Sequence, residues 1–537
     1  MTNLRRVVQV IAFAVFTGLF LLTIGKYDFA AQGTVLKSRA PIDLFFKIDP
    51  LVGITTMVAA RKVIHALLIY ALPIVLLSIF AGRFFCGWLC PLGTALDVTD
   101  AVFFRKRKPG CTGVRQVWRT KYYVLLGVLV AAAFGSQLAF LLDPITIITR
   151  AFTLALFPIV QLTSQSLGGL DFVSEHLPFI SHNSYIPSDV QYFYRLNFFA
   201  AVIFIAILAA NSLSRRFWCR NLCPLGALLG LLSRFSLIKR VVKSDCAHCG
   251  KCVPDCKMGA IMENPTDYRA PECVYCYSCT GVCPKQSTTI VPTIRTEGYH
   301  GELDLNRRRT LQAFGIGALA AVLGKTNADA KTDRTGRVKV SSAQLIRPPG
   351  ALPEDEFVDR CVRCSECMKI CPTNGLQPAL TEAGLEGLWS PVLVPRMGEC
   401  TQQCNLCSKV CPSQAIQPFD ISEKAHIYIG RAVIDRSQCI AWNSNRQCLV
   451  CDEHCSYHAL HWKEVDGVRR PFVEEHKCVG CGICENACPI QPHAAIKVYS
   501  LGDRRGETRK QQKAFFEQAP RSGGSPHPGG DPYTTSE

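Results

Sequence analysis

Thiols carry the chemistry in this sequence. Of its 537 residues 29 are cysteine, and nearly all fall in runs of short, repeated spacing. "CAHCGKCVPDC" gives Cys246, Cys249, Cys252 and Cys256, and "CVYCYSCTGVCP" gives Cys273, Cys276, Cys279 and Cys283. Each is C-x2-C-x2-C-x3-C, the spacing that holds a [4Fe–4S] cube: three thiolates on a tight loop take three irons, and the fourth, leaving at a helix start, serves the neighbouring cube. The expected sets are therefore Cys246, Cys249 and Cys252 with Cys283, and Cys273, Cys276 and Cys279 with Cys256. Zinc would call for two C-x2-C pairs instead of triplets. A disulfide framework does not suit a reducing compartment.

The run recurs four times further on. "CVRCSECMKICP" is regular at Cys361, Cys364, Cys367 and Cys371, as is "CVGCGICENACP" at Cys478, Cys481, Cys484 and Cys488. The two between them are stretched. "CTQQCNLCSKVCP" (Cys400, Cys404, Cys407, Cys411) opens with a longer gap, and "CIAWNSNRQCLVCDEHCS" (Cys439, Cys448, Cys451, Cys455) inserts eight residues and lacks the final proline. Six sets predict six [4Fe–4S] clusters. Two further pairs sit in "FFCGWLCPLGTAL" (Cys86, Cys90) and "FWCRNLCPLGALL" (Cys219, Cys223). Cysteines four apart share a helix face, and Pro91 and Pro224 then redirect the chain. These four thiols could be the ligands of an extra metal or cluster, two redox-active dithiols, or inert buried cysteines. Cys111 is left over, a lone thiol in a basic loop.

The elements that position these residues include membrane segments. Apolar runs at Val7–Gly25, Val63–Gly82, Tyr122–Leu142 and Tyr194–Leu213 each approach the ~20 residues a bilayer requires. Arg5 and Arg6 precede the first, Arg105 to Lys108 follow the second, and Arg215, Arg216 and Arg220 follow the fourth, so both ends of the bundle are expected in the cytoplasm, with residues 26–61 and 143–193 outside. The net charge of +17 gathers at these flanks, which fits an anionic lipid face and not nucleic acid. "KIDPLVGITT" and "LLDPITIITR" recur at matching places, predicting two parallel halves. Asp49, Arg61, Asp143 and Arg150 of the outer loops are candidates for a quinol site, although Asp-Pro also makes an ordinary helix N-cap. No C-x-x-C-H occurs, and His65 is the only histidine in the spans, so haem is not indicated.

"NRRRTLQAFGIGALAAVLG", Asn306 to Gly324, has the arginines and short apolar core of an export signal, with Ala328-Asp329-Ala330 as a cleavage pattern. "RRTL" resembles a twin-arginine signal, the route for proteins that fold around cofactors before export. The predicted fold is an α-helical membrane bundle of four spans in two parallel repeats, plus two ferredoxin-like α+β polycluster modules. Its domains are the four-span bundle (1–240), a cytoplasmic two-cluster module (241–300), the twin-arginine signal or a fifth membrane segment (301–330), a periplasmic four-cluster domain (331–500) and a disordered tail (501–537).

At these motifs the chain resembles the iron–sulfur subunits of the quinol dehydrogenase that serves periplasmic nitrate reductase. Residues 1–300 are similar to its membrane subunit, and residues 306–500, with the twin-arginine signal and "CIAWNSNRQC", to its periplasmic four-cluster partner. Related ferredoxin-type proteins occur in methylamine utilisation. The two polypeptides are fused here. The resemblance implies a protein of the bacterial inner membrane that carries electrons from membrane quinol through [4Fe–4S] clusters to a periplasmic redox protein, such as a nitrate reductase or cytochrome c. The alternative is a membrane iron–sulfur factor for maturation of a periplasmic metalloenzyme.

Overall fold

The computed structural model describes residues 2–23, 25–28, 33–36, 43–104, 117–168, 191–293, 298–300, 303, 305–324 and 345–517. Cys111 and the Ala328–Ala330 cleavage pattern lie outside them.

Apolar helices form the N-terminal unit: α1 (Thr2–Leu22), α2 (Pro50–Ala60), α3 (His65–Ala81), α4 (Pro91–Phe103), α5 (Thr120–Ala133), α6 (Pro144–Ala151), α7 (Asn197–Ala209) and α8 (Pro224–Leu232). Proline opens α2, α4, α6 and α8, behind Asp49, Cys90, Asp143 and Cys223 as N-caps. Its missing N–H and fixed φ suit the first helical position. The Asp-Pro and Cys-Pro motifs thus head matching helices in the two sequence repeats.

Two helices, Thr2–Leu22 and Pro144–Thr163, are long and apolar enough to cross a membrane; α2, α3, α5 and α7 are apolar but shorter. The expected run Tyr122–Leu142 breaks at Gly135, which takes φ 79° and leads into a 3-10 turn at Leu138–Leu141. The segment expected as an outer loop from residue 143 instead begins with α6, which continues through a π-helical turn at Phe152–Leu156 into helix Phe157–Gly168. Its composition explains this. In "PITIITRAFTLALFPIVQL" the single charge is Arg150, and that side chain is buried.

The cluster-type modules occupy opposite ends of the bundle. At one end Arg5 of α1 donates to Gly87 O and Asp97, while Lys121 and Tyr122 of α5 bind Glu272 of the first module. At the other, Phe20 O of α1 accepts from Lys369, and Gln137 beyond α5 binds Asp359 O at 2.6 Å in the second module. With 21 residues in α1, the two ends stand ~30 Å apart at 1.5 Å rise per residue.

Helix α9 (Arg307–Gly324) runs along α5. Asn306 N donates to Tyr123 Oη, and at the far end a side chain on Gly324 would meet Ser136. Midway, a Cβ on Gly317 would fall 2.5 Å from Gly127 O. Only glycine permits that approach, and small residues at such a crossing let backbones touch.

The modules are built from short helices and antiparallel strand pairs. Ile238–Val242 pairs with Thr288–Pro292, and Arg431–Ile434 with Ile496–Tyr499. In each case the strand before a double run's first cysteine (Cys246 or Cys439) pairs with the strand after its last (Cys283 or Cys488), which brings the two ends of that run together. Strand pairs Leu376–Pro378 with Pro391–Leu393 and Leu460–Val465 with Val468–Val473 complete the larger module.

Residues 501–517, expected as the start of a disordered tail, belong to the fold. Arg505 is buried against Asp503 and Glu354, and α10 (Glu354–Arg360) and α11 (Arg509–Glu517) flank this contact. The polar composition that reads as disorder is satisfied by a partner about 150 residues earlier. Residues 518–537 lie outside the described residues.

Candidate metal centres

Each regular cysteine loop folds tightly because the residues flanking its middle cysteine adopt left-handed backbone. His248 and Gly250 flank Cys249, Tyr275 and Tyr277 flank Cys276, Arg363 and Ser365 flank Cys364, and Gly480 and Gly482 flank Cys481, all at positive φ. At non-glycine positions this conformation costs energy, so it persists where the surroundings determine it. A second signature follows the fourth cysteine. The residue three further on is left-handed at Gly259, Gln286, Asn374, Gln414 and His458. The chain then turns a backbone N–H onto the sulfur: Ala260 N to Cys256 Sγ at 3.2 Å, Ala459 N to Cys455 Sγ at 3.3 Å, and Ile416 N to Cys411 Sγ at 3.4 Å. Sequence spacing located the cysteines but not these donors, whose signal is the Gly, Asn, Gln or His three positions on.

The loops gather the sulfurs into fours around apolar cavities. Cys246, Cys249, Cys252 and Cys283 line one, and Cys256, Cys273, Cys276 and Cys279 another. This is the exchange of fourth cysteines expected from the spacing. The larger module repeats it, with Cys400, Cys404 and Cys407 joined by Cys371, Cys478, Cys481 and Cys484 by Cys455, and Cys439, Cys448 and Cys451 by Cys488. Cys411 acts electrostatically on Cys361, Cys364 and Cys367, completing the last set. The stretched loops at Cys400 and Cys439 still deliver their thiols to shared cavities.

These donor sets fit a cationic cluster core. Burial pushes the thiols of Cys367, Cys407 and Cys484 well above the ordinary value, and neighbouring cysteines push them further. Four thiolates this close repel one another until positive charge stands between them. Among the described residues no three His, Cys, Asp or Glu side chains are grouped to hold a single metal ion.

Charged side chains adjust each environment. Lys424, buried, donates to Cys404 O at 2.6 Å and to Thr401 O; burial would lower its pKa, but Cys400, Cys404 and Cys407 raise it overall. Burial would raise the carboxyl of Glu354, but Arg347 and then Arg505 hold it down to about 2. Glu354 opens α10, which leads directly to Cys361. Sequence reasoning missed both groups, because their partners are distant in the chain.

The paired Cys-Pro motifs also converge. Cys90, Cys219 and Cys223 are buried, and their sulfurs interact with one another and with Cys86. Two arginines that the sequence reading took only as flanking charge, or passed over, complete this region. Arg216 donates to both oxygens of Asp97, at 3.0 and 2.9 Å, and to Gly93 O at 3.3 Å in the other repeat. Arg83 reciprocates: it donates to Pro271 O and Glu272, and its Nη2 would lie 2.7 Å from a Cβ on Gly226. Each arginine stands three residues before a cysteine, in "RFFC" and "RFWC". In both Cys-Pro-Leu-Gly turns the glycine lies beside the opposite arginine, Gly226 by Arg83 and Gly93 by Arg216.

Of the quinol-site candidates, Asp49, Asp143 and Arg150 are buried. Arg61, exposed and left-handed at the end of α2, is not brought to them.

Cysteine sets of this kind, exchanged in pairs and lined up in one chain, define an iron–sulfur electron-transfer protein of ferredoxin type. Family models described as 4Fe-4S binding domains match residues 63–110 and 196–243, residues 243–259 and 358–374, and residues 471–491. The chain is 35% identical over 166 residues to the methylamine utilization ferredoxin-type protein MauM of Methylorubrum extorquens, covering 29% of this chain and 74% of that protein. It is 32% identical over 216 residues to the ferredoxin-type protein NapG of Escherichia coli (37% and 88%), and 25% identical over 304 residues to the ferredoxin-type protein NapH of Haemophilus influenzae (52% and 86%). The chain belongs to this ferredoxin-type family, and it joins NapH-like and NapG-like sequence in one polypeptide.

Proposed function

We propose that the protein is anchored in a membrane by its N-terminal helices, oxidises membrane quinol, and passes the electrons through [4Fe–4S] clusters to a periplasmic redox protein. The observation that carries this reading is the order of the cysteine sets at the α1 C-terminal end of the bundle. The sets of Cys361, Cys364, Cys367 and Cys411 and of Cys371, Cys400, Cys404 and Cys407 both lie against the bundle: Tyr194 donates to Met368 O at 3.3 Å, next to Cys367, and Asn374, three residues past Cys371, donates to Phe193 O at 2.9 Å. The two sets exchange Cys371 and Cys411. Cys400 N donates to Cys481 O at 2.8 Å, which joins the set of Cys371, Cys400, Cys404 and Cys407 to the one of Cys455, Cys478, Cys481 and Cys484. The set of Cys439, Cys448, Cys451 and Cys488 comes last. From the two sets at the bundle the other two lead on in file.

When bound, the clusters supply one-electron transfer at potentials set by hydrogen bonds, burial and nearby charge. Six sets require about 24 iron atoms per chain. In this reading α9 is a fifth membrane helix. Four spans return the chain to the cytoplasm beside the first module, and α9 carries it out to the second. Its packing along α5 supports retention in the bundle.

The test is anaerobic purification of the full chain followed by addition of a quinol, with electron paramagnetic resonance as readout. Reduced-cluster signals and iron near 24 per chain are expected. Full iron with no quinol-driven reduction, alongside loss of a periplasmic metalloenzyme's metal in cells lacking the protein, would replace the relay with a maturation role.

A further inference from the structure

Asp49 and Asp143 do more than cap helices. Each is fully buried and spends one oxygen on its helix: Asp49 Oδ1 accepts from Leu51 N at 2.8 Å and Val52 N at 3.3 Å, and Asp143 Oδ2 from Thr146 N at 2.8 Å. The other oxygens, Asp49 Oδ2 and Asp143 Oδ1, receive no donor from the rest of the protein. Instead the two carboxyl groups face each other and interact electrostatically. Two buried carboxylates this close repel each other, which favours a proton on one of them. The heads of α2 and α6 therefore hold a shared proton in a buried site.

A second observation shows what the site faces. Arg150, two turns along α6, is 3% exposed, and its Nη1 has no hydrogen-bond partner. Its guanidinium stacks over Trp389 at 4.0 Å, and its charge acts on both Asp143 and Cys364. The second module is locked onto this place. Gln137 donates to Thr55 O of α2 at 3.1 Å and to Asp359 O at 2.6 Å, and Arg363 donates to Gln137 O at 2.8 Å. Of the other charges nearby, Lys62 is paired with Glu356 and Lys47 with Asp43, Lys369 donates to Phe20 O and attracts the buried carboxylate of Glu366, and Arg363 repels Arg150. Arg150 thus stands, with an unused donor, between a proton-sharing pair and the cysteine set at the head of the file.

We propose that the Asp49–Asp143 pair is the proton-accepting site for a hydroquinone oxidised at this end of the bundle. The proposal rests on the quinol reading above. A hydroquinone becomes a quinone by losing two electrons and two protons. The electrons leave singly to the iron–sulfur chain. The protons go one at a time to the free carboxylate oxygen of the pair, which returns to its singly protonated state by releasing each to water. Arg150 offers its free N–H to the quinol oxygen as charge develops there.

Asp49→Asn and Asp143→Asn test this, because asparagine caps a helix as well as aspartate does but cannot take up the proton. In the full chain with clusters assembled, each variant is expected to keep its iron content and its reduction by dithionite. Each should also lose the carboxylic-acid carbonyl band from the redox-difference infrared spectrum and slow quinol-driven reduction about a hundredfold, the usual worth of a general base. Wild-type rates in both variants, with the infrared spectrum unchanged, would overturn the proposal and leave the quinol reading intact. Failure of the wild type itself to be reduced by quinol would overturn both.

Discussion

Glu354→Gln measures how firmly the second module holds the start of its first cysteine loop. Glu354 is buried between Arg347, at 2.5 and 3.1 Å, and Arg505, at 3.2 Å. Its carboxyl is held at about 2 against the 4.5 of a free glutamate, which at about 1.36 kcal/mol per tenfold amounts to roughly 3 kcal/mol of stability at neutral pH. Removing one partner of a buried ion pair costs a similar ~3–5 kcal/mol, since the arginines stay buried. The folded value lies below the unfolded one. The contribution is therefore complete above about 4.5 and disappears as pH falls through about 2. In a thermal scan at pH 7 and fixed rate, followed by cluster absorbance, the variant should lose its clusters about 6–12 °C earlier, at ~2–4 °C per kcal/mol for a unit of this size. Glu356→Gln is the control. Its partner is Lys62, and both side chains are about half exposed, at 44% and 57%, so the cost is about 0–1 kcal/mol. Equal shifts for the two variants would refute the argument, as would a gap between them that persists below pH 2.

Lys424→Gln should make the reduction potential of the centre at Cys371, Cys400, Cys404 and Cys407 more negative, because a buried positive charge stabilises the reduced form; a redox titration that shows no change would remove Lys424 from that role. Gly317→Leu should displace α9 from α5, since its side chain would overlap Gly127 O, and the expected result is proteolytic cleavage between residues 324 and 345 in membranes where the wild type remains one full-length band. A wild-type band already cut near Ala330 would instead make α9 a removable twin-arginine signal. Cys86→Ser and Cys219→Ser should have equivalent effects on quinol-driven reduction if the four thiols act as one site, and unequal alkylation of the two pairs would mark them as separate dithiols.

The chemistry of this chain was legible because cysteine spacing is a local code. The exchange of Cys256 and Cys283 followed from it; the pairing in the larger module, where two loops are stretched, was not legible, and the fold shows the same exchange there at Cys411, Cys371, Cys488 and Cys455. Asp49 and Asp143 were visible as matching N-caps, but nothing local says that two helix heads meet. Arg83 and Arg216 repeat at a fixed distance before a cysteine, yet Arg83 drew no notice and Arg216 looked like a membrane-orienting charge, whereas Arg216 is buried on Asp97. Arg505 was lost for the opposite reason. Its neighbours "GDRRGETRKQQK" are polar enough to read as disorder, and only Glu354, far away in sequence, makes its burial favourable.

The central question is whether electrons from quinol reach the far end of the cysteine file by way of the set of Cys361, Cys364, Cys367 and Cys411. Cys411→Ser removes one thiol from that set and leaves the distal one, Cys439, Cys448, Cys451 and Cys488, untouched. Freeze-quenched paramagnetic resonance after quinol addition should show distal reduction in the wild type. In Cys411→Ser it should be absent, although dithionite still reduces the distal centre. Equal quinol-driven distal reduction in both proteins would contradict the relay.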